Sequence, residues 1–152
     1  RLRRNIVELY LSEQPAGDRA PESLQWVAKS LGLRQVRYPQ PSHRLDVVDR
    51  SNPFFTFDNA ACISCARCVR ACDEIQGTHA LTMLHRGFAS RPVAGAASLT
   101  GEAAGFASSN CVSCGACVKE CPTGALMEKT VAEQGPPERT VRQHSREHRP
   151  CR

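Results

Sequence analysis

Residues 62 to 72 read Cys-Ile-Ser-Cys-Ala-Arg-Cys-Val-Arg-Ala-Cys, and residues 111 to 121 read Cys-Val-Ser-Cys-Gly-Ala-Cys-Val-Lys-Glu-Cys. These two stretches are copies of one motif, because six of their eleven positions are identical. The copies begin 49 residues apart. A repeat of this kind predicts a duplicated supersecondary unit with pseudo-two-fold symmetry.

The spacing of the cysteines indicates iron–sulfur clusters. A C-x2-C-x2-C loop can curl around a cubane and place three thiolates on three irons, and the fourth iron needs a cysteine from elsewhere. In the bacterial pattern with two clusters, the last cysteine of each motif binds the other cluster. We therefore predict two [4Fe-4S] clusters, with Cys62, Cys65, Cys68 and Cys121 as ligands of cluster 1 and Cys111, Cys114, Cys117 and Cys72 as ligands of cluster 2.

Other uses of cysteine fit this spacing poorly. Structural zinc sites take two C-x2-C pairs separated by a longer loop and have no use for a third cysteine at each knuckle. Disulfides between such close cysteines would close small, strained loops. Cys151 lies outside the motifs and is expected to be a free thiol, and the five histidines stand in no ligand spacing.

With the cysteine motifs, we predict an α+β fold, bacterial-ferredoxin-like, with a small helical arm before it. Apolar residues at helical spacing predict a helix over residues 3 to 13, and a second helix begins at Pro21 and is capped by Gly32. We expect a linker over residues 37 to 53, strands at 54 to 58 and 80 to 84, and a surface loop from 94 to 109. The predicted domains are an N-terminal arm and linker (1–50), a ferredoxin-type domain (51–135) and a basic tail expected to be disordered (136–152).

Composition narrows the function classes. The net charge of +5 comes mainly from arginines near the two ends, whereas the aromatic cluster Phe54-Phe55-Thr56-Phe57 lies away from both, which argues against nucleic-acid binding. No apolar run approaches the ~20 residues that span a bilayer, so we expect no direct membrane insertion. No export signal is visible, because charged and polar residues interrupt the apolar residues that follow Arg3 and Arg4, and this favours the cytoplasm.

The chain resembles part of the alpha subunit of NAD-dependent molybdenum formate dehydrogenases. Wider relatives of that family are the large iron–sulfur subunit of NADH:quinone oxidoreductase and the [FeFe] hydrogenases. The segments that carry the resemblance are residues 4–9, 32–39, 51–58, 68–77, 86–88 and 111–129. Among them, Ile75-Gln76-Gly77 and Arg86-Gly87-Phe88 favour the formate dehydrogenase branch.

This resemblance implies a role in electron transfer between a molybdopterin-containing catalytic partner and a flavin subunit that reduces NAD. In the family, one histidine and three cysteines hold an additional cluster before the dicluster domain, but here Gln14 stands at the histidine position and residues 13 to 25 contain no cysteine. We therefore expect no third cluster, and no catalytic residues in this chain. The alternatives are a free-standing ferredoxin-like carrier and a truncated, non-catalytic remnant.

Overall fold

The computed structural model describes residues 1–14, 20–38, 48–95 and 105–134. The N-terminal arm contains two helices, α1 (Leu2–Ser12) and α2 (Glu22–Ser30), which pack against each other. Both predicted helices are confirmed. Gly32 has a φ of +66° just after α2, as expected of a glycine that ends a helix in the left-handed region.

A buried carboxylate connects α1 to the segment that follows α2. The side chain of Glu8 on α1 is only 1% exposed and accepts three close bonds from Arg37: from its backbone N–H at 2.7 Å, from Nε at 2.9 Å and from Nη2 at 2.7 Å. These hydrogen bonds lower the pKa of Glu8 from 4.5 to about 2. Arg37 also donates to Asn5 Oδ1 at 3.1 Å, so one guanidinium joins two positions of α1.

A three-stranded antiparallel sheet forms the base of the cysteine-containing part. Its strands are β1 (Val48–Asp49), β2 (Phe55–Asp58) and β5 (Leu126–Glu128), in the order β1-β2-β5. Strand β2 confirms the prediction for residues 54 to 58. Strand β1 corrects the prediction of a linker over 37–53, because Val48 and Asp49 pair with the end of β2; residues 39–47 of that linker lie outside the described part.

Short helices and a hairpin complete the fold. The first motif continues into α3 (Arg67–Ala71) and then directly into a π-helical turn (Cys72–Gln76). An antiparallel hairpin follows, formed by β3 (Leu81–Leu84) and β4 (Arg91–Ala94), with a 3-10 turn (Gly87–Ala89) between them. The second motif contains α4 (Ala116–Lys119), and α5 (Lys129–Gln134) follows β5. No helix in the described ranges is long and apolar enough to cross a membrane.

The core is small and consists largely of aromatic rings and cysteines. Phe106 meets Phe55 edge to face, with ring centroids 4.9 Å apart, and meets Phe57 in the same way at 6.5 Å. Phe106 is 3% exposed in a 3-10 turn (Phe106–Ser108), so the predicted surface loop over 94–109 is wrong at this residue. Residues 96–104 of that loop lie outside the described part. Four cysteines join the same buried cluster: Cys62, Cys68, Cys72 and Cys117.

Candidate metal centre

The two cysteine loops share an unusual backbone conformation. Ser64 and Ser113 occupy equivalent positions and have φ values of +54° and +57°. Two residues later, Ala66 and Gly115 have φ values of +59° and +75°. Such left-handed residues turn the chain sharply, and in each loop a serine N–H bonds the first cysteine's sulfur, at 3.3 Å for Cys62 and 3.4 Å for Cys111. Each loop therefore folds tightly around its own first thiol.

Four of the cysteines line one cavity. They come from both motifs: Cys72 ends the first, whereas Cys111, Cys114 and Cys117 belong to the second. The cavity holds about 310 Å³ of space free of atoms, including its opening to solvent. Its remaining wall is mainly apolar and is formed by Phe55, Thr78, Ala80, Leu81, Phe106, Val112 and Gly115. The structure thus brings the fourth cysteine of the first motif to the loop of the second.

Cysteines of both motifs lie close enough to Cys68 to affect its pKa. Burial raises the pKa of the Cys68 thiol to about 12, and negative charge on nearby sulfurs contributes further. These sulfurs are, in order of effect, Cys62, Cys121, Cys117 and Cys65. Cys121 ends the second motif, so a thiol of that motif also lies close enough to affect Cys68. Cys68 and Cys117 belong to the same buried cluster, so the two loops are neighbours.

The electrostatics of both sets suit a bound group with positive charge. Burial also raises the pKa of the Cys117 thiol to about 12. Negative charge on the sulfurs of Cys111, Cys114 and Cys72 raises this pKa further. Crowded thiolates in an apolar interior repel one another, and iron supplies the charge that stabilises them. Within the described ranges, no three His, Cys, Asp or Glu side chains are grouped to hold a single metal ion. A cubane does not need such a group, because each thiolate binds a different iron.

Exposure differs within each loop in the same way. Cys65 and Cys114, the second cysteines of the two loops, are exposed to solvent, whereas Cys68 and Cys117 are buried. Each set of thiols therefore has one exposed member and two buried members, which are Cys62 and Cys68 in one set and Cys72 and Cys117 in the other.

The fourth cysteines have different surroundings. Cys72 lies at the junction of α3 and the π-helical turn, with its sulfur 3.4 Å from Thr78 Oγ1. Cys121 precedes Pro122, and its sulfur accepts the N–H of Leu126 at 3.4 Å. An ion pair also joins the motifs, since Arg67 Nη2 lies 3.1 Å from Glu120 Oε2.

Two buried amides contact the cysteine loops from outside the motifs. Asn52, 3% exposed, donates from Nδ2 to Ser113 Oγ at 2.9 Å and over a longer 3.8 Å to Cys111 Sγ. Gln14, 1% exposed, donates to the carbonyl oxygen of Cys62 at 3.4 Å. From the sequence, Gln14 was identified only as a replacement for histidine, and Asn52 was missed. An Asn-Pro pair just before a strand was the available signal.

Comparison with known proteins agrees with this geometry. Residues 61–125 match the family model described as the 4Fe-4S dicluster domain. This chain contains a 4Fe-4S dicluster domain. The domain is ferredoxin-like, with mixed helix and sheet content, and its eight cysteines are those of the two loops and their fourth residues. Cys151 lies outside the described residues.

The dicluster domain and its arm are similar to parts of larger redox proteins. A subunit of NADH-quinone oxidoreductase from Rhizobium meliloti (strain 1021) is 32% identical over 133 residues, which is 82% of this chain and 14% of that protein. The HndD subunit of the NADP-reducing hydrogenase of Solidesulfovibrio fructosivorans is 33% identical over 133 residues, or 83% of this chain and 21% of that protein. The chain therefore spans about a fifth or less of these relatives' length.

Two further similarities differ in extent. The probable oxidoreductase YjgC of Bacillus subtilis (strain 168) is 43% identical over 44 residues, which is 29% of this chain and 4% of that protein. A crystal structure of an NAD+-reducing [NiFe]-hydrogenase in the H2-reduced state superposes with a TM-score of 0.64 at 29% identity. That superposition covers 89% of this chain and 57% of the hydrogenase chain. The arm and the dicluster domain thus recur together in a solved redox enzyme.

Proposed function

We propose that this chain is an electron-transfer module of a larger oxidoreductase and holds two [4Fe-4S] clusters. The observation that carries this proposal is the cavity in which Cys72 of the first motif lies beside Cys111, Cys114 and Cys117 of the second. We assign Cys62, Cys65, Cys68 and Cys121 to cluster 1, and Cys111, Cys114, Cys117 and Cys72 to cluster 2. The exchange of ligands and the matching loops support a pseudo-two-fold relation between the motifs.

The residues of the chain have distinct roles in this proposal. When bound, each cluster would accept and release one electron. The buried thiols would fix the clusters in the core, and the mainly apolar wall of the Cys72 cavity would limit the contact of cluster 2 with water. Cys65 and Cys114 are both exposed, which suits a module that exchanges electrons with partner subunits. We propose residues 51–135 as the ferredoxin-type domain and residues 1–50 as an arm that binds to it.

The relatives suggest what those partners are. Two of them are named as subunits of a quinone oxidoreductase and a hydrogenase, which supports a place among partner subunits. We further propose that the enzyme resembles cytoplasmic NAD-dependent formate dehydrogenase, with a molybdopterin-containing catalytic partner and a flavin partner. Copurification with such subunits would support this finer assignment, whereas copurification with a hydrogenase or quinone-reducing complex would contradict it.

Anaerobic reconstitution followed by iron and sulfide counting tests the clusters themselves. About eight irons per chain are expected, four for each cubane, together with two reducible EPR signals. A folded chain that holds zinc and gives no reducible signal would overturn the proposal. Trp26, which is 63% exposed on α2, supplies a control variant, since Trp26→Ala should retain the full iron content.

A further inference from the structure

Asn52 is a buried polar residue that the proposed ligand sets do not include. It is 3% exposed and lies before β2, outside both cysteine motifs. Its Oδ1 accepts hydrogen bonds from the backbone N–H groups of Phe54 at 2.9 Å and Phe55 at 3.3 Å. The amide is therefore held at the start of the strand by two main-chain donors.

These two bonds fix the direction of the amide. A side-chain amide has an oxygen that only accepts and a nitrogen that only donates, and the two backbone donors must face the oxygen. Nδ2 consequently points the other way, where it donates to Ser113 Oγ and Cys111 Sγ. The sulfur of Cys111 also accepts the backbone N–H of Ser113 at 3.4 Å. Two N–H groups are thus directed at one ligand sulfur.

We infer that Asn52 is a positioning residue that raises the reduction potential of cluster 2, through the N–H group that it directs at the sulfur of Cys111. This inference rests on the proposed function. Reduction adds one electron to a cluster and increases the negative charge on its sulfurs. A donor pointed at a ligand sulfur stabilises this reduced form, and hydrogen bonds to sulfur are among the factors that set cluster potentials.

The first loop shows a different arrangement at the equivalent place. Ser64 corresponds to Ser113, but its hydroxyl donates to the carbonyl oxygen of Ser90 at 2.7 Å. The two matching serines are therefore bound by different segments, the β3–β4 hairpin in one case and Asn52 in the other. A residue outside the repeat thus makes the two cluster sites unequal, and unequal potentials favour electron flow in one direction.

The substitution Asn52→Asp replaces the N–H donor of the side chain with an oxygen acceptor and keeps the size of the side chain. Aspartate keeps an oxygen for the N–H groups of Phe54 and Phe55 but directs a second oxygen at Cys111. We expect the midpoint potential of cluster 2 to fall and that of cluster 1 to change much less. An EPR-monitored redox titration of the holoprotein measures both potentials. No shift, or an equal shift of both clusters, would overturn the inference.

Two more variants exclude a merely structural effect. Ser113→Ala removes the other partner of Nδ2 but leaves its bond to sulfur, so the potential of cluster 2 should not fall. A fall as large as that in Asn52→Asp would show that Asn52 only anchors the loop.

The variant Asn52→Ser retains an acceptor but is too short to reach Cys111. We expect a smaller fall in the potential of cluster 2 than in Asn52→Asp, with a shifted Fe–S stretching band in resonance Raman spectra. Unchanged potential and band in this variant would also contradict the inference.

Iron counting on each variant keeps this inference separate from the proposed function. About eight irons with two EPR signals, as two cubanes require, but no selective shift in potential, would refute the role of Asn52 alone. Absence of iron from the unsubstituted chain would instead refute the proposed function.

Discussion

Replacing Phe106 with alanine should destabilise the dicluster domain and expose cluster 2. The side chain is 3% exposed and packs edge to face against two other rings. An aromatic side chain of this kind buries about 150–250 Å², which at about 25 cal/mol per Å² corresponds to about 4–6 kcal/mol. Measured losses for Phe→Ala in protein cores are about 3–5 kcal/mol. We therefore expect the free energy of unfolding to fall by about 4 kcal/mol.

The position of Phe106 adds a prediction that stability alone does not make. Its ring lines the cavity of Cys72 and the second loop, which is the site proposed for cluster 2. Phe106→Ala should therefore speed the loss of the cluster 2 signal in air more than the loss of the cluster 1 signal. Anaerobic denaturation followed by visible absorbance gives the stability, and timed EPR gives the two decay rates.

Matched variants make this experiment decisive. Phe106→Leu retains most of the volume and should cost no more than about 1.5 kcal/mol. Trp26→Ala removes an exposed aromatic side chain and should change stability by at most about 0.5 kcal/mol. Equal decay of both clusters in Phe106→Ala, or a loss of stability no larger than in Trp26→Ala, would refute the assignment of Phe106 to the wall of the cluster 2 site.

Three further predictions follow from the ligand sets, the arm and the loops. Cys121→Ser should abolish the EPR signal of the cluster at Cys68 and leave that of the cluster at Cys117; the opposite loss would show that each motif holds its own cluster. The pKa of Glu8 is lowered from 4.5 to about 2, so its stabilising contribution is complete above about pH 4.5 and is lost only as the pH falls towards 2. Hydrogen exchange should show that α1 of the unsubstituted chain is equally protected at pH 7 and pH 5. In Glu8→Gln, α1 should be less protected at both pH values. Weaker protection of the unsubstituted α1 at pH 5 than at pH 7 would contradict the prediction. Finally, Ala66→Gly should stabilise the first loop by up to about 1 kcal/mol, because alanine is strained at positive φ, and Gly115→Ala should destabilise the second by about 1–2 kcal/mol. Denaturation of both holoproteins measures these opposite changes, and changes of the same sign would argue against the left-handed geometry.

Local patterns in the sequence were sufficient for the helices and the cysteine loops. The spacing of Ile6 and Tyr10 predicted α1, and Gly32 predicted the end of α2. The repeated 2-2-3 cysteine spacing predicted that the last cysteine of each motif lies near the other loop, and the structure brings Cys72 to the second loop. These features depend on residues close together in sequence or on a motif whose chemistry dictates its geometry.

The missed features depend on contacts between distant segments. Strand β1 has two residues, too few for a periodic pattern, and exists because it pairs with β2. Phe106 is a single aromatic residue in a stretch rich in Gly, Ala and Ser, so composition favoured a surface loop. Asn52 reaches Ser113, which lies 61 residues further along the chain. No short stretch of the sequence contains both residues of such a contact.

The presence of Cys72 in the cavity of the second loop has a consequence during synthesis of the chain. When the first motif leaves the ribosome, Cys72 does not yet have the other thiols of its cavity beside it, because Cys111, Cys114 and Cys117 have not been synthesised. Neither of the proposed ligand sets is complete until the second motif has emerged. Delivery of iron and sulfide should therefore follow translation of both motifs, and a ribosome that stalls between them would leave a chain with exposed thiols that is open to oxidation and degradation.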